Sequence, residues 1–419
     1  MTLKAVNWFV AVVVALSLAA CGSTPTSAAD NAPVAPSPAS MASRAAAGTT
    51  GPQTPSSTQP TVPQQTPNRP SPGQRRAFDP VRARVQRMSV RDRARQLIVV
   101  GFAGTSAPSQ LITTLHPGGL IYFSPNARST SQIAAMSRQA QRAARASAQP
   151  LLLMTDQEGG IVTRLPGSSD VPAGIEFGGN GPYARRTALH TGRDLVDVGI
   201  NVDLAPVSDV NTVGSAGVIA SRSFSSDPEV VSRMVRAQIC GYHDGGVAAT
   251  AKHWPGHGST STDSHVSTAS INGSLRRWRT TDLPPFVAAV KTHVDMILVG
   301  HLAFRPLDGS GRPATISPRL TRNVIRRKLG YDGVVITDAL NMGGITSWGT
   351  PRHIAVQSLR AGIDLLLMPP QPREAVLGIV SAVRDGRLSV GRLNASVERV
   401  VRLKQRLGLY RAPKRLATC

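Results

Sequence analysis

The chain has 419 residues, 41% of them hydrophobic and only 4% aromatic, enough for one large core and too polar for an integral membrane protein. Its formal net charge is +23, and 41 of the 47 basic residues are Arg. These cations are scattered, with little aromatic interleaving and no recognition helix, so no nucleic-acid partner is expected; a wall polymer or an anionic membrane outside the cell accounts for the charge instead.

In chain order, Lys4 precedes an apolar run over 8–20 that is too short to span a bilayer and fits the core of a signal peptide. The run ends in Leu18-Ala19-Ala20-Cys21, small residues before a Cys, which resembles a bacterial lipobox. The expectation is a signal peptide over 1–20 and a lipid-anchored Cys21. Residues 21–80 are rich in Pro, Ser, Thr, Ala and Gln and cannot bury enough surface to offset ordering entropy, so they are read as a disordered tether. Cys240 and Cys419 are the other two cysteines; Cys240 falls in a helical pattern, and spacing alone leaves open whether the two are paired.

Globular patterning begins near Val81 and is assigned to one domain over 81–412, with a tail over 413–419. Ser89 is placed to cap a helix that leads into an apolar run. Eight short apolar runs, 97–100, 119–123, 150–154, 201–204, 247–251, 296–299, 333–336 and 364–367, read as strands. Helical patterns separate them at 130–145, 228–242, 284–292 and 352–361, with two more at 373–383 and 390–407. Continuous apolar strands alternating with helices predict a parallel sheet buried on both faces, and eight such units predict a (β/α)8 barrel, an α/β fold. The rival, an open doubly wound sheet, lacks a GxGxxG after its first strand.

Polar residues follow these strands at once: Asp156 after the third, Lys252 and His253 after the fifth, His301 after the sixth, Asp338 after the seventh. On a barrel these strand ends share one face, so the side chains converge. The stretch from Lys252 to His265 holds three His, one Lys and one Asp around Pro255-Gly256. His253 and His257 would need a helix to align as metal ligands, and Pro255-Gly256 argues against one, so neither a metal nor a cofactor is expected. A mobile loop over the barrel mouth is favoured, in which Asp263 and His265 meet and the carboxylate fixes the tautomer of the imidazole. Glu158, beside Gly159-Gly160, is read as a turn cap; Asp203 as a structural hydrogen-bonding or ion-paired group; His301 as pocket floor or core histidine; Asp332 as surface.

Taken together, Asp156-Gln157-Glu158-Gly159-Gly160, Gly199-Ile200-Asn201 through Leu204-Ala205-Pro206-Val207, Arg222-Ser223-Phe224, Lys252-His253-Trp254-Pro255-Gly256-His257 and Thr337-Asp338-Ala339-Leu340 resemble glycoside hydrolase family 3 in its single-domain β-N-acetylglucosaminidase branch. The resemblance implies Asp338 as a nucleophile that forms a covalent glycosyl-enzyme. It implies His265 as general acid/base with Asp263 as its partner, and Asp156, Arg164, Arg222, Lys252 and His253 as the grip on a terminal N-acetyl sugar. An imidazole donor repels anions less than a carboxylate would, which opens phosphorolysis; glycosyl phosphate formed in phosphate buffer would reveal it. Three positions depart from the pattern: Ile161 where Arg is common, Trp254 where Phe is usual, and Ala339 where an acidic residue is frequent. The implied partner is a cell-wall glycan or muropeptide bearing N-acetylglucosamine, met by a monomer held at the membrane. A β-glucosidase or β-xylosidase of the same family and a non-catalytic wall-glycan-binding lipoprotein are the competing readings.

Overall fold

The computed structural model describes residues 79–167, 170–410 and 413–419, so the signal peptide, Cys21 and nearly all of the tether lie outside the described residues. Among the described residues ten strands appear in chain order: β1 (Ile98–Val100), β2 (Gly119–Tyr122), β3 (Leu152–Thr155), β4 (Val202–Asp203), β5 (Thr250–Trp254), β6 (Ala269–Ser270), β7 (Met296–Val299), β8 (Leu302–Ala303), β9 (Val334–Thr337) and β10 (Leu366–Leu367). All ladders are parallel. One sheet runs β10-β1-β2-β3-β4, a second β5-β7-β9, and β6 pairs with β8 outside them. Isolated parallel bridges, Val202 with Ala248 and Ile336 with Leu365, join each edge of the larger sheet to an edge of the smaller. The strands of the two sheets are buried throughout, which is why they read as unbroken apolar runs.

Seven of the eight predicted strands fall within two residues of those observed. The fifth moves by three, to Thr250–Trp254. Lys252 and His253 therefore belong to the strand instead of following it. Charged residues read as the end of a strand because an unpaired buried charge is costly. Here both are paired inside the fold, so the strand continues through them.

The predicted helices are present, and Ser89 caps its helix by accepting from the Asp92 amide at 3.1 Å. A helix that periodicity did not disclose, Gly181–Asp197, packs on Pro228–Gly245 through small residues. A Cβ on Gly241 would lie 2.3 Å from the Arg185 carbonyl oxygen, so only glycine lets the two backbones approach this closely. The buried face of Gly181–Asp197 is mostly Ala, Thr and Gly, and that mild composition hid it from pattern reading.

The two cysteines left open by the sequence are bonded. Cys240, on the inner part of helix Pro228–Gly245, is joined to Cys419 with Cα atoms 5.7 Å apart, across a sequence separation of 179. In the chain-entropy account, closing so long a loop is worth about 5 kcal/mol. The C-terminal segment is held at two further points, Arg415 N to Arg406 O at 2.8 Å and Lys414 Nζ to Gly246 O at 3.2 Å.

Lys404 lies on helix Val390–Arg406 and is fully buried, its Nζ donating to Gln96 Oε1 at 2.7 Å. No carboxylate pairs with it among the described residues. Burial alone pulls its pKa from the ordinary lysine value down to about 7. A folded-state pKa below the unfolded one means the buried ammonium penalises folding fully at pH 7 and below, and progressively less as pH rises toward 10. Lys404→Met should therefore gain most in Tm over the parent near pH 6, with the gain shrinking by pH 10. Thermal melts of both proteins across that range check it; a Tm difference independent of pH would contradict the unpaired-ammonium account.

Candidate active site

The segment after β3 folds back on itself. Gly159 and Gly160 both take left-handed φ, +101° and +52°, and the Glu158 amide donates to Val162 O at 3.0 Å. Gln157 ties the two ends of this segment together. Its backbone N–H donates to Asp203 Oδ1 at 2.9 Å, and its side-chain oxygen accepts from the amides of Arg164 (2.9 Å) and Leu165 (3.2 Å). Asp203 is thus a structural hydrogen-bonding group, as read from the sequence, and burial pushes its carboxyl well above the usual range. Asp156 and Arg164 leave the folded-back segment from its two ends. The guanidinium of Arg164 sits 5.9 Å from the centroid of the Phe123 ring.

Glu158 does not act as a turn cap. It accepts two parallel bonds from Arg222, Nε to Oε2 and Nη2 to Oε1, both 2.8 Å, and its Oε1 lies 2.6 Å from Lys252 Nζ. Lys252 also donates to Asp156 Oδ1 at 2.6 Å. Lys252 is buried, and although desolvation works against its charge, Asp156 and Glu158 raise its pKa further. Burial likewise opposes ionisation of Glu158, but Lys252 and Arg222 hold its carboxyl far below the carboxylate range. The correction has a local cause: the glycine turn that appeared to need a cap is closed by the backbone, which frees the carboxylate to reach across to the next two strand ends.

His253 is set by a residue the sequence reading did not single out. Asp209 Oδ2 lies 2.7 Å from His253 Nδ1, and Asp209 also accepts from the backbone amides of His253 and His257, the latter at 2.7 Å. Asp209 is fully buried; desolvation raises its pKa, but His253 and the amide donors outweigh it and keep the carboxyl low. A signal was present in the sequence: Ser208-Asp209 interrupts the apolar stretch that follows β4, where a buried acid needs a partner. His253 Nε2 faces Arg222 Nη2 at 3.4 Å. Asp156, Arg222, Lys252 and His253, drawn from the segments that follow or form three neighbouring strands, are therefore one connected cluster.

Asp338 stands one residue past β9, its amide donating to Val299 O at 2.9 Å. Burial opposes its charge, but the imidazoles of His301 and His253, the Ala339 amide on Oδ1 at 2.8 Å, and His265 together hold the carboxyl below its ordinary range. Of the two roles the sequence left open, His301 takes that of the core histidine. It is a satisfied core histidine, 2.7 Å from Thr315 Oγ1 and 2.9 Å from Ala339 O, and it lies in the field of Asp338. Asp332, on the same connection, is at the surface and pairs with Arg399.

Asp263 and His265 meet as expected, with His265 Nδ1 2.7 Å from Asp263 Oδ1 and the His265 amide donating to the same oxygen at 2.9 Å. Unlike the buried cluster, this pair faces solvent, with the imidazole 69% exposed. Its loop is anchored nonetheless. Gly343 N donates to His265 O at 2.8 Å, Gly344 N to Ser264 O at 3.0 Å, and Ser264 Oγ reaches His257 Nε2 at 3.2 Å. A Cβ on Gly343 would sit 2.1 Å from Val266 O. The loop is therefore docked against the segment that begins with Asp338, and it is closed at its far end by β6 on β8.

The chain is similar to known proteins along most of its length. The description "Glycosyl hydrolase family 3 N terminal domain" matches residues 89–403. A beta-hexosaminidase A of Pseudoalteromonas piscicida is 33% identical over 71% of this chain, which spans 55% of that relative's length. A beta-hexosaminidase of Xanthomonas oryzae pv. oryzae is 32% identical over 71% of this chain and 90% of its own. Among solved structures, a glycoside hydrolase family 3 beta-N-acetylglucosaminidase from Paenibacillus sp. str. FPU-7 superposes with a TM-score of 0.75 at 36% identity, covering 79% of this chain and 65% of that one. M tuberculosis LpqI gives 0.70 at 29% identity, covering 77% and 96%.

The ion-pair geometry of Glu158 yields a direct test. Glu158→Gln leaves two cations facing each other in a dry site, so the folded state should lose about 3–5 kcal/mol in urea unfolding. Loss of a turn cap alone would cost about 1 kcal/mol, and a value that small would return Glu158 to that role.

Proposed function

The chain belongs to glycosyl hydrolase family 3, and from that footing we propose that it is a retaining, exo-acting β-N-acetylhexosaminidase that removes terminal β-linked N-acetylglucosamine. The observation that carries the reading is the pairing of a half-buried carboxylate held ionised, Asp338, with a solvent-facing proton donor docked on the same segment, the Asp263–His265 pair. The first group is suited to attack a sugar carbon, and the second to meet the oxygen that leaves it.

Two displacements follow. The Asp338 carboxylate attacks the anomeric carbon while His265 Nε2–H protonates the departing glycosidic oxygen, giving a glycosyl ester on Asp338 and a free aglycone. His265, now with a vacant Nε2, takes a proton from a water that attacks the same carbon from the opposite side, releasing the sugar and restoring the carboxylate. Asp263 holds the imidazole through Nδ1 in both steps, so Nε2 is the nitrogen that exchanges protons. Asp156, Arg164, Arg222, Lys252 and His253 grip the hydroxyl and N-acetyl groups of the terminal sugar. The ion pairs of Lys252 with Asp156 and Glu158, of Arg222 with Glu158 and of His253 with Asp209 fix four of them before the sugar arrives, which lowers the ordering cost of binding.

The same reading includes a closed (β/α)8 barrel, supported by the two bridges that link the edges of the parallel sheets and by the likeness to the family 3 structure above. It also includes an extracytoplasmic, lipid-anchored location. The lipobox-like Leu18-Ala19-Ala20-Cys21 supports it, as does the Cys240–Cys419 disulfide, since such bonds persist in oxidising compartments. Outside the membrane, glycans and muropeptides of the cell wall that end in N-acetylglucosamine are the natural substrates proposed, in wall turnover and recycling.

Asp338→Ala should lower kcat on a chromogenic N-acetylglucosaminide by several orders of magnitude, because the covalent route is lost; near-normal turnover would remove Asp338 from the mechanism. His265→Ala should slow glycosides with poor leaving groups far more than nitrophenyl glycosides, which depart with little protonation. Equal losses on both would mean that another group supplies the proton.

A further inference from the structure

The loop of His265 turns one side chain inward. Between residues 261 and 267 only Ser264 is buried, 3% exposed, while its neighbour His265 faces solvent. Ser264 is held twice, from two parts of the fold. Its carbonyl accepts from Gly344 N at 3.0 Å, and its Oγ lies 3.2 Å from His257 Nε2. Gly344 belongs to the connection after β9, and His257 to the one after β5.

His257 is itself immobilised. Gly256 before it takes φ +122°, and a Cβ there would come 2.7 Å from Asp282 Cβ. A Cβ on Gly258 after it would come 2.0 Å from Val210 O. Between these two close approaches the His257 amide donates to Asp209 Oδ1 at 2.7 Å, and the ring meets that of His253 edge-on, with centroids 5.9 Å apart. The ring is buried, and among the described residues its one hydrogen bond is the bond to Ser264. Burial, and then His253, hold its pKa below the ordinary histidine value against the opposing fields of Asp209 and Asp338. The ring therefore stays neutral, and its tie to Ser264 persists while His265 exchanges protons.

The tie matters because of where the others lie. Gly343 N to His265 O, Gly344 N to Ser264 O and Thr268 Oγ1 to Gly344 O (2.7 Å) all run to one short segment. Bonds along a single edge fix the height of a loop and leave it free to swing about that edge; a point held off the edge stops the swing. We propose that His257 is a positioning residue for the proton donor, holding Ser264 so that the adjacent His265 meets the leaving oxygen at the angle that proton transfer needs. The inference rests on the reading of His265 as that donor. His257 touches none of the reacting atoms and acts through Ser264.

Kinetics of His257→Ala, His257→Gln, Ser264→Ala and the double alanine variant test it, on methyl and 2,4-dinitrophenyl N-acetyl-β-glucosaminides. In kcat/KM, which reports the first displacement, each single alanine variant should lose about thirtyfold or more on the methyl glycoside. The loss on the dinitrophenyl glycoside, whose leaving group needs no proton, should stay below about threefold. Gln, whose amide can replace Nε2, should recover most of the loss, and the double variant should be no worse than the poorer single one. Equal losses on the two glycosides, losses that multiply in the double variant, or a Gln variant as poor as Ala would each overturn the proposal. Should His257→Ala fail to fold, Ser264→Ala breaks the same bond from the loop side, and an unchanged leaving-group dependence in it would overturn the proposal alone. If His265→Ala itself slowed both glycosides equally, the donor reading would fall and this inference with it.

Discussion

The ammonium of Lys252 is the constraint on which the rest of the site depends. It is buried in the middle of β5, and a lone charge there would cost several kcal/mol. Two carboxylates, Asp156 and Glu158, stand 2.6 Å from it, and Glu158 in turn holds Arg222 with both oxygens. Satisfying one cation thus fixes the segment after β3, the connection after β4 and the middle of β5 relative to one another. The groups proposed to hold the sugar are arranged as a by-product of that electrostatic necessity. Preorganisation of this kind needs no reorientation when a ligand enters.

Asp209 extends the same logic one step outward. It orients His253 and accepts from the His257 backbone, while the His257 ring meets Ser264 of the loop that carries His265. Buried ion pairs, a buried histidine–carboxylate pair and an exposed one therefore form a gradient from the floor of the site to its mouth. The floor is rigid and dry. His265, the proposed proton donor, stays open to water, which the proposed second displacement needs.

Much of this was legible in the sequence, and particular residues show why. Unbroken apolar runs marked seven strands well because those strands are covered on both faces. Asp156, Lys252, His253 and Asp338 stood out because each breaks such a run at its carboxyl end. The misplaced fifth strand and the misread Glu158 share one cause: a charge looks like a boundary or a cap until its partner is known, and Arg222 lies 64 residues from Glu158 in sequence. Asp209 was passed over for the same reason. The Cys240–Cys419 bond, too, depends on a long-range meeting that spacing does not encode. Helix Gly181–Asp197 escaped for the opposite reason, since it packs with small residues and carries little apolar signal.

The two backbone bonds from Gly343 and Gly344 to the loop of His265 have a consequence beyond anchoring. Asp338 and His265, the proposed nucleophile and proton donor, belong to distant parts of the chain, yet the short peptide between residues 338 and 344 acts as a ruler between them. The outer arc of that loop can be lengthened or redecorated without changing the gap between Asp338 and His265, so long as the two side-chain-free positions persist. Anyone transplanting the loop onto another scaffold would have to carry this Gly-Gly ledge with it, because the loop alone does not contain the information that sets its height.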